Sequence, residues 1–368
     1  MDPLPLAQDL LRHRSVTPAD DGLQAMLAER LERLGFATTH LAFGTTPNLF
    51  ARIGTLSPHL CFAGHTDVVP PGETGWTADP FGGEVRDGVL FGRGACDMKG
   101  AVAAFVAAAE AHLPMLRGSI SLLITGDEEG PATDGTVRVL EWMAAEGHVP
   151  DLCLVGEPTN QAALGDVIKI GRRGSMNAAV RVHGVQGHSA YPQKADNPVH
   201  RLIPALAALT AAPLDAGNAW FEPSTLQITS VDVGNPASNV IPAMAAARLN
   251  IRFNDLHTGA DLHAWLRATF DRYCPRHDLE VTISGEAFLT DPGKLVERLQ
   301  GAIERASGVT PRLDTGGGTS DARFIAQYCP VAEFGLVGLT MHKVDECVPV
   351  EELRRLASIY RAILAEFV

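Results

Sequence analysis

The feature that most limits the fold of this chain is a recurrence. Short apolar runs of strand length alternate with segments of helical period, and histidines and acids stand just past the runs. Leu60-Cys-Phe-Ala-Gly is followed by His65 and Asp67, and Ser119-Ile-Ser-Leu-Leu-Ile-Thr by Asp127, Glu128 and Glu129. Asp151-Leu-Cys-Leu-Val is followed by Glu157, and the run 331–337 by His342. Between them, helices are predicted over 23–34, with apolar Leu23, Met26, Leu27, Leu31 and Leu34 and a capping Gly35, and over 101–112 and 137–145. Strands alternating with helices of this length predict an α/β layer with a mixed, largely parallel sheet. In such sheets ligands bind beyond the carboxyl ends of the strands, where these acids and histidines fall.

The texture changes near Gly171-Arg-Arg-Gly-Ser. Strand-like 178–182, a helix over 197–210, and strand-like 226–231 and 245–253 read as a small α+β domain inserted into the first. From about residue 285 the α/β texture resumes, with a helix over 294–307, a strand over 331–334 and a terminal helix from Val350. The expected division is a catalytic domain of 1–174 and 287–368, interrupted by an inserted domain of 175–286. At 368 residues the chain exceeds what one hydrophobic core usually supports, which also favours two domains.

Charge narrows the partners. Thirty Lys+Arg against 43 Asp+Glu give a formal charge of −13, with no basic stripe, which argues against nucleic acid. The same balance would repel an anionic substrate unless the site supplied positive charge of its own. The six cysteines are scattered without a C-x-x-C pair, so neither a zinc finger nor a disulfide framework is expected. The amino terminus lacks an apolar signal-peptide core, and no apolar run reaches the ~20 residues of a membrane span. The expectation is a cytoplasmic protein without a membrane partner.

Taken singly, each candidate has a structural alternative. Asp97 could open a helix, Glu128 and Glu129 could be solvated loop charges, Glu157 could sit in a turn, and His65 and His342 could be hydrogen-bonded loop histidines. Their joint placement after strands favours a metal centre. Zn²⁺ takes imidazole nitrogen and carboxylate oxygen, and two histidines with three carboxylates suffice for two ions if one carboxylate bridges. Metal lowers the pKa of water from about 15.7 toward ~7, and a neighbouring carboxylate can move the proton. Neighbours in sequence face different ways, so Glu128 and Glu129 can divide the work.

G-H-T-D-V-V-P (64–70), G-R-G-A-C-D-M-K-G (92–100), D-E-E-G-P-A (127–132), V-G-E-P-T (155–159), G-R-R-G-S (171–175) and G-G-T-S-D-A-R-F (317–324) occur in order over nearly the whole chain. In these strings the chain resembles the succinyl-diaminopimelate desuccinylases, within the co-catalytic zinc peptidases and deacylases of family M20. The resemblance implies a zinc-peptidase-like catalytic domain with a dimerisation (lid) domain inserted in it, and two Zn²⁺ per subunit, one site also open to Co²⁺. It implies that His65, Asp97 and Glu157 hold one ion, and Asp97, Glu129 and His342 the other, with Asp97 as bridge. Glu128 would be the general base, Asp67 would orient His65, and a cis peptide would follow Asp97. His188, in G-V-Q-G-H-S-A-Y-P, would reach the partner's active site in a homodimer and steady the oxyanion. Arg173, Ser175, Asn239, Arg252, Gly318 and Thr319 would bind the carboxylates of a small-molecule substrate. The sequence departs from many such proteins at Gly338, where an asparagine is common.

The implied reaction is hydrolysis of N-succinyl-LL-2,6-diaminopimelate in the synthesis of lysine and diaminopimelate. Two alternatives stay open at this point. One is a related two-zinc deacylase or carboxypeptidase, such as one acting on acetylornithine; the other is a metal-binding protein that has lost the chemistry. A dinucleotide-binding oxidoreductase is disfavoured, because no G-x-G-x-x-G follows the first buried strand.

Overall fold

The computed structural model describes residues 1–368, which divide into two compact units. The first comprises Met1–Ile170, Thr290–Asp314 and Ser320–Val368; the second comprises Gly171–Leu289 and Thr315–Thr319.

The first unit is built on an eight-stranded mixed sheet. Its spatial order is Ala37–Phe43, Thr46–Ile53, Ser119–Thr125, His59–His65, Leu152–Val155, Val331–Glu333, Val167–Lys169 and Arg312–Asp314. Ser119–Thr125, His59–His65, Leu152–Val155 and Val331–Glu333 are consecutive neighbours and mutually parallel. Antiparallel pairing enters with the hairpin Ala37–Phe43/Thr46–Ile53, where Thr46–Ile53 meets Ser119–Thr125, and where Val331–Glu333 meets Val167–Lys169. Every residue of His59–His65, Ser119–Thr125 and Leu152–Val155 is buried. That explains why these strands read as unbroken apolar runs: a central strand covered on both faces has no polar side to alternate with.

The helix Lys99–His112 is buried over nearly its whole surface, and its alanines let it pack closely against neighbouring elements. Phe105 on this helix stacks on Phe62 of the sheet at 4.2 Å between ring centroids. Tyr360, from the terminal helix Val350–Phe367, meets both rings edge-on and donates its hydroxyl to the Phe334 carbonyl at 2.7 Å. The buried hydroxyl thereby finds the partner it needs. No helix is long and apolar enough to cross a membrane.

The second unit has a four-stranded antiparallel sheet in the order Thr225–Asp232, Met244–Phe253, Gly174–His183 and His277–Gly285. Along Gly174–His183 the buried residues Met176, Ala178, Val180 and Val182 fall at every second position. This is the period of a sheet with one covered face. The cover is the helices Val199–Leu209 and Gly259–Tyr273, whose Leu202, Leu206, Leu262, Leu266 and Phe270 complete the core. Helix Gly259–Tyr273 had no counterpart among the predicted elements, although Thr258 caps it by accepting from the Asp261 N–H at 3.1 Å.

Candidate metal centre

Four adjacent parallel strands end at one edge of the sheet in the first unit, and the candidate donors hang from those ends. His65 is the last residue of its strand. Glu128 and Glu129 follow Ser119–Thr125 after two residues, and Glu157 follows Leu152–Val155 after one. His342 lies farther along, beyond the turn Gly338–Thr340, with φ of +60°, a left-handed conformation histidine tolerates better than most residues. Asp97 comes from the loop before helix Lys99–His112, and the Asp97–Met98 peptide is cis.

Three groups of donors form, each with ligand atoms within 4.8 Å of one another: His65/Asp97/Glu157, Asp97/Glu129/His342 and His65/Glu128/Glu129. Asp97 links the first two. Its Oδ1 lies 3.2 Å from His65 Nε2 and its Oδ2 3.2 Å from His342 Nε2, so each oxygen serves a different histidine. Glu129 Oε1 is 2.9 Å from His342 Nε2, and Glu157 Oε1 is 3.7 Å from His65 Nε2.

The His65 tautomer follows from its other nitrogen. Nδ1 lies 2.8 Å from the Asp67 carbonyl oxygen, which can only accept. Nδ1 therefore carries a proton, and in the neutral ring Nε2 presents a lone pair to the cluster. Asp67 thus contacts His65 most closely through its backbone; its carboxylate stands 3.7 Å from Nδ1. That carboxylate instead accepts the N–H groups of Glu128 at 3.2 Å and Glu129 at 3.0 Å, fixing the turn that carries both acids. Burial raises the Asp67 carboxyl to about 6.

The electrostatics describe a crowd of carboxyl groups around two imidazoles. Burial, reinforced by the charges of Asp321, Glu129 and Asp97, pushes Glu128 up to about 8 against the opposing pull of His65. Burial and the charges of Asp97 and Glu128 hold Glu157 well above the usual carboxylate range. Asp97 goes the other way: burial opposes its ionisation, but hydrogen bonds from His342 and His65 hold it well below. Burial disfavours the charged ring of His65, yet Asp97, Glu128 and Glu157 together raise it well above its usual value. Hydrogen bonds to Asp97 and Glu129 raise His342 to about 10. Carboxylates that repel one another at this density, with imidazole nitrogens aimed among them, fit divalent cations in both donor set and charge.

The other candidate residues lie in the second unit. Ser175 and Arg252 are direct partners across the antiparallel register; Ser175 is buried, and Arg252 and Arg173 are half-buried. Gly318 and Thr319 belong to the segment Thr315–Thr319, and neighbouring Arg172 donates to the Gly318 carbonyl at 2.9 Å. His188 is exposed on the short strand Gly187–His188 paired with Val240–Ile241. Exposed Asn239 adjoins it, its carbonyl accepting the Ser189 N–H at 2.9 Å. At Gly338 a Cβ would come 3.1 Å from the Pro158 carbonyl oxygen, a tight contact that a shift of a few tenths of an ångström relieves. Two residues with no assigned role prove central to the first unit. Asp321, inside the 317–324 string, is buried and its charge acts on Glu128. Glu346, four residues past His342, is wholly buried among backbone amides. A carboxylate so close to a candidate ligand was the available signal for Glu346.

The parallel centre of the sheet ends in histidine and carboxylate clusters that could hold metal ions, and residues 61–366 match the peptidase family M20/M25/M40; the chain belongs to that family. Its similarity to particular proteins is sharper. It is 66% identical to a succinyl-diaminopimelate desuccinylase of Acidiphilium cryptum (strain JF-5), over 99% of this chain and 98% of that one. An M20 family metallo-carboxypeptidase of Sulfolobus solfataricus, Sso-CP2, shares the fold with a TM-score of 0.81 at 15% identity, covering 99% of this chain and 98% of that one. The Bacillus subtilis YXEP protein, described as a dinuclear metal-binding peptidase of the M20 family, superposes with a TM-score of 0.72 at 17% identity, covering 99% and 96%.

Proposed function

We propose that this chain hydrolyses N-succinyl-LL-2,6-diaminopimelate to succinate and LL-2,6-diaminopimelate, a step in lysine and diaminopimelate synthesis. The observation that carries the reading is Asp97 facing His65 with one oxygen and His342 with the other, inside two three-donor clusters that share it. The 66% identity to a desuccinylase supports the choice of substrate.

In this reading His65, Asp97 and Glu157 hold one Zn²⁺, and Asp97, Glu129 and His342 a second, one of the sites also accepting Co²⁺. Bound there, the ions supply Lewis acidity, polarising the amide carbonyl and making water acidic enough to deprotonate near neutral pH. Glu128 takes the proton from the attacking water and passes it to the leaving amine as the C–N bond breaks. Burial above all raises the Glu128 carboxyl to about 8, so for it to act as a base at neutral pH positive charge would have to be held beside it by His65, Asp97 and Glu129. Asp67 keeps Glu128 and Glu129 in place through their N–H groups.

Arg173, Ser175, Arg252, Asn239, Gly318 and Thr319 bind the substrate's carboxylates, to which a guanidinium fork is matched. The inserted unit joins two subunits in a homodimer, and exposed His188 serves the partner's site as an oxyanion donor. The reaction belongs to the cytoplasm, where biosynthetic intermediates of this kind are made.

Metal analysis of the purified protein, with hydrolysis of succinyl-diaminopimelate and acetylornithine compared side by side, tests the reading. About two metal equivalents and a strong preference for the succinyl substrate are expected. A preference for acetylornithine refutes the substrate assignment.

A further inference from the structure

Three ligand-bearing segments converge on the centre: residues 65–76, 92–97 and 342–347, the last two meeting where the antiparallel pair Val89–Phe91/Cys347–Pro349 ends. A buried ion pair reaches all three. Glu346 is fully buried, and each of its oxygens is doubly engaged. Oε1 accepts the N–H groups of Cys96 at 2.9 Å and Asp97 at 3.0 Å. Oε2 accepts the Gly94 N–H at 3.1 Å and the Arg93 guanidinium at 2.7 Å. The Glu346 carbonyl accepts the Gly92 N–H at 3.0 Å. Arg93, only 2% exposed, also donates to the carbonyls of Lys343 at 3.2 Å and Pro70 at 3.4 Å, and lies 5.4 Å from the centroid of the Trp76 ring.

Each contact meets a segment next to a candidate ligand. The amide of Asp97 itself is held, Lys343 adjoins His342, and Pro70 lies five residues past His65. A carboxylate with four donors, two on each oxygen, has little freedom to turn, and donors to an ionised acceptor form the stronger class of hydrogen bond. Metal sites tolerate ligand displacements of only about 0.2 Å, so the spacing of these segments bears directly on whether a cluster can close on an ion.

We propose that Glu346, with Arg93 as its counter-charge, is a positioning residue that sets the separation of Asp97 from His342 and thereby the fit of the Asp97/Glu129/His342 cluster. The inference rests on reading those residues as metal ligands. His65 and Glu157 are held chiefly by the parallel strands behind them, so the cluster containing His342 depends on the brace most. An amide in place of the carboxylate must turn its own donors toward one of the two donor pairs, either Gly94 and Arg93 or Cys96 and Asp97, breaking one side of the brace at nearly unchanged volume.

The test is titration of metal-stripped protein with Co²⁺, followed by visible absorption and calorimetry, together with thermal unfolding and steady-state kinetics. The variants are Glu346→Gln, Glu346→Asp and Arg93→Lys. Leu299→Ala, which truncates a buried residue of helix Lys294–Ser307, serves as a variant destabilised elsewhere. Wild type should bind two Co²⁺. Glu346→Gln should keep the tighter ion and weaken the second by about 10–100-fold, with an altered visible spectrum for that ion. Its kcat should fall in step while KM stays within about twofold. Arg93→Lys should show a smaller effect of the same kind, and Leu299→Ala should lower the Tm with both affinities intact. If Glu346→Gln does not fold, Glu346→Asp and Arg93→Lys report the same quantities. Wild-type affinities and spectrum in the brace variants, alongside a lowered Tm, overturn the inference by making the pair structural only. Fewer than two ions on wild type overturn the ligand reading itself, and this inference with it.

Discussion

Replacing Glu128 with glutamine should damage catalysis and stabilise the metal-free protein at once. The substitution keeps size and backbone, whose N–H is anchored by Asp67, and removes the oxygen that takes a proton. Loss of a general base costs about 10²–10⁴ in kcat, or roughly 3–5 kcal/mol in the barrier. Stability moves the opposite way. The Glu128 carboxyl is raised to about 8 from its ordinary 4.5. A group raised in the folded state costs nothing below its unfolded pKa, and the penalty grows as pH climbs through the interval to the folded value. Three and a half pH units at 1.36 kcal/mol each set a ceiling near 5 kcal/mol, and shared titration with the neighbouring carboxylates reduces this to roughly 2–4 kcal/mol. In a chelator, the variant's Tm should match wild type near pH 4.5 and exceed it by roughly 4–8 °C at pH 8. Differential scanning calorimetry across that range, with metal content and kcat on reloaded protein, reads both effects. Turnover within tenfold of wild type at full metal content refutes the base assignment, and a Tm difference that does not grow with pH refutes the electrostatic argument.

Metal binding should release protons at pH 7, because His342 is raised to about 10 and His65 well above its usual value before any ion arrives; affinity should therefore climb with pH. Calorimetry in buffers of different ionisation enthalpy checks this, and a buffer-independent heat contradicts it. Gly335→Ala should lower metal content, since a Cβ there would fall 2.3 Å from the Gly156 carbonyl oxygen and 2.4 Å from that of Glu157, backbone that cannot yield without moving a ligand. Metal analysis and activity of the variant measure the loss. Phe105→Ala should cost about 3–5 kcal/mol in urea unfolding, because it empties the stack on Phe62 and the edge contact with Tyr360.

Much of the catalytic layer was legible because its central strands are covered on both faces and its helices have one strong period. Helix Lys294–Ser307 has the bounds that its periodicity predicts, and the strands at 59–65, 119–125 and 152–155 announce themselves as unbroken apolar runs. The hairpin strand Ala37–Phe43 was not predicted, since its seven residues are exposed or half-buried and form no such run. Helix Gly259–Tyr273 was missed although Leu262, Leu266 and Phe270 recur every four residues along its buried face; only four of its fifteen residues are buried, and charged Asp261, Arg267, Asp271 and Arg272 occupy its other face.

The same division governs the metal centre. Covalent order alone places a histidine or an acid just past each of several strands, because strand length and donor position are both local properties of the chain. The order of those strands in the sheet is a long-range outcome, and it is what sets His65, the Glu128–Glu129 turn and Glu157 side by side at one edge. Only the folded chain assigns Asp67 its hold on two backbone amides and brings Glu346 to amides some 250 residues earlier. A carboxylate's role depends on which donors surround it after burial, and those donors come from parts of the chain that its own neighbours in sequence do not specify.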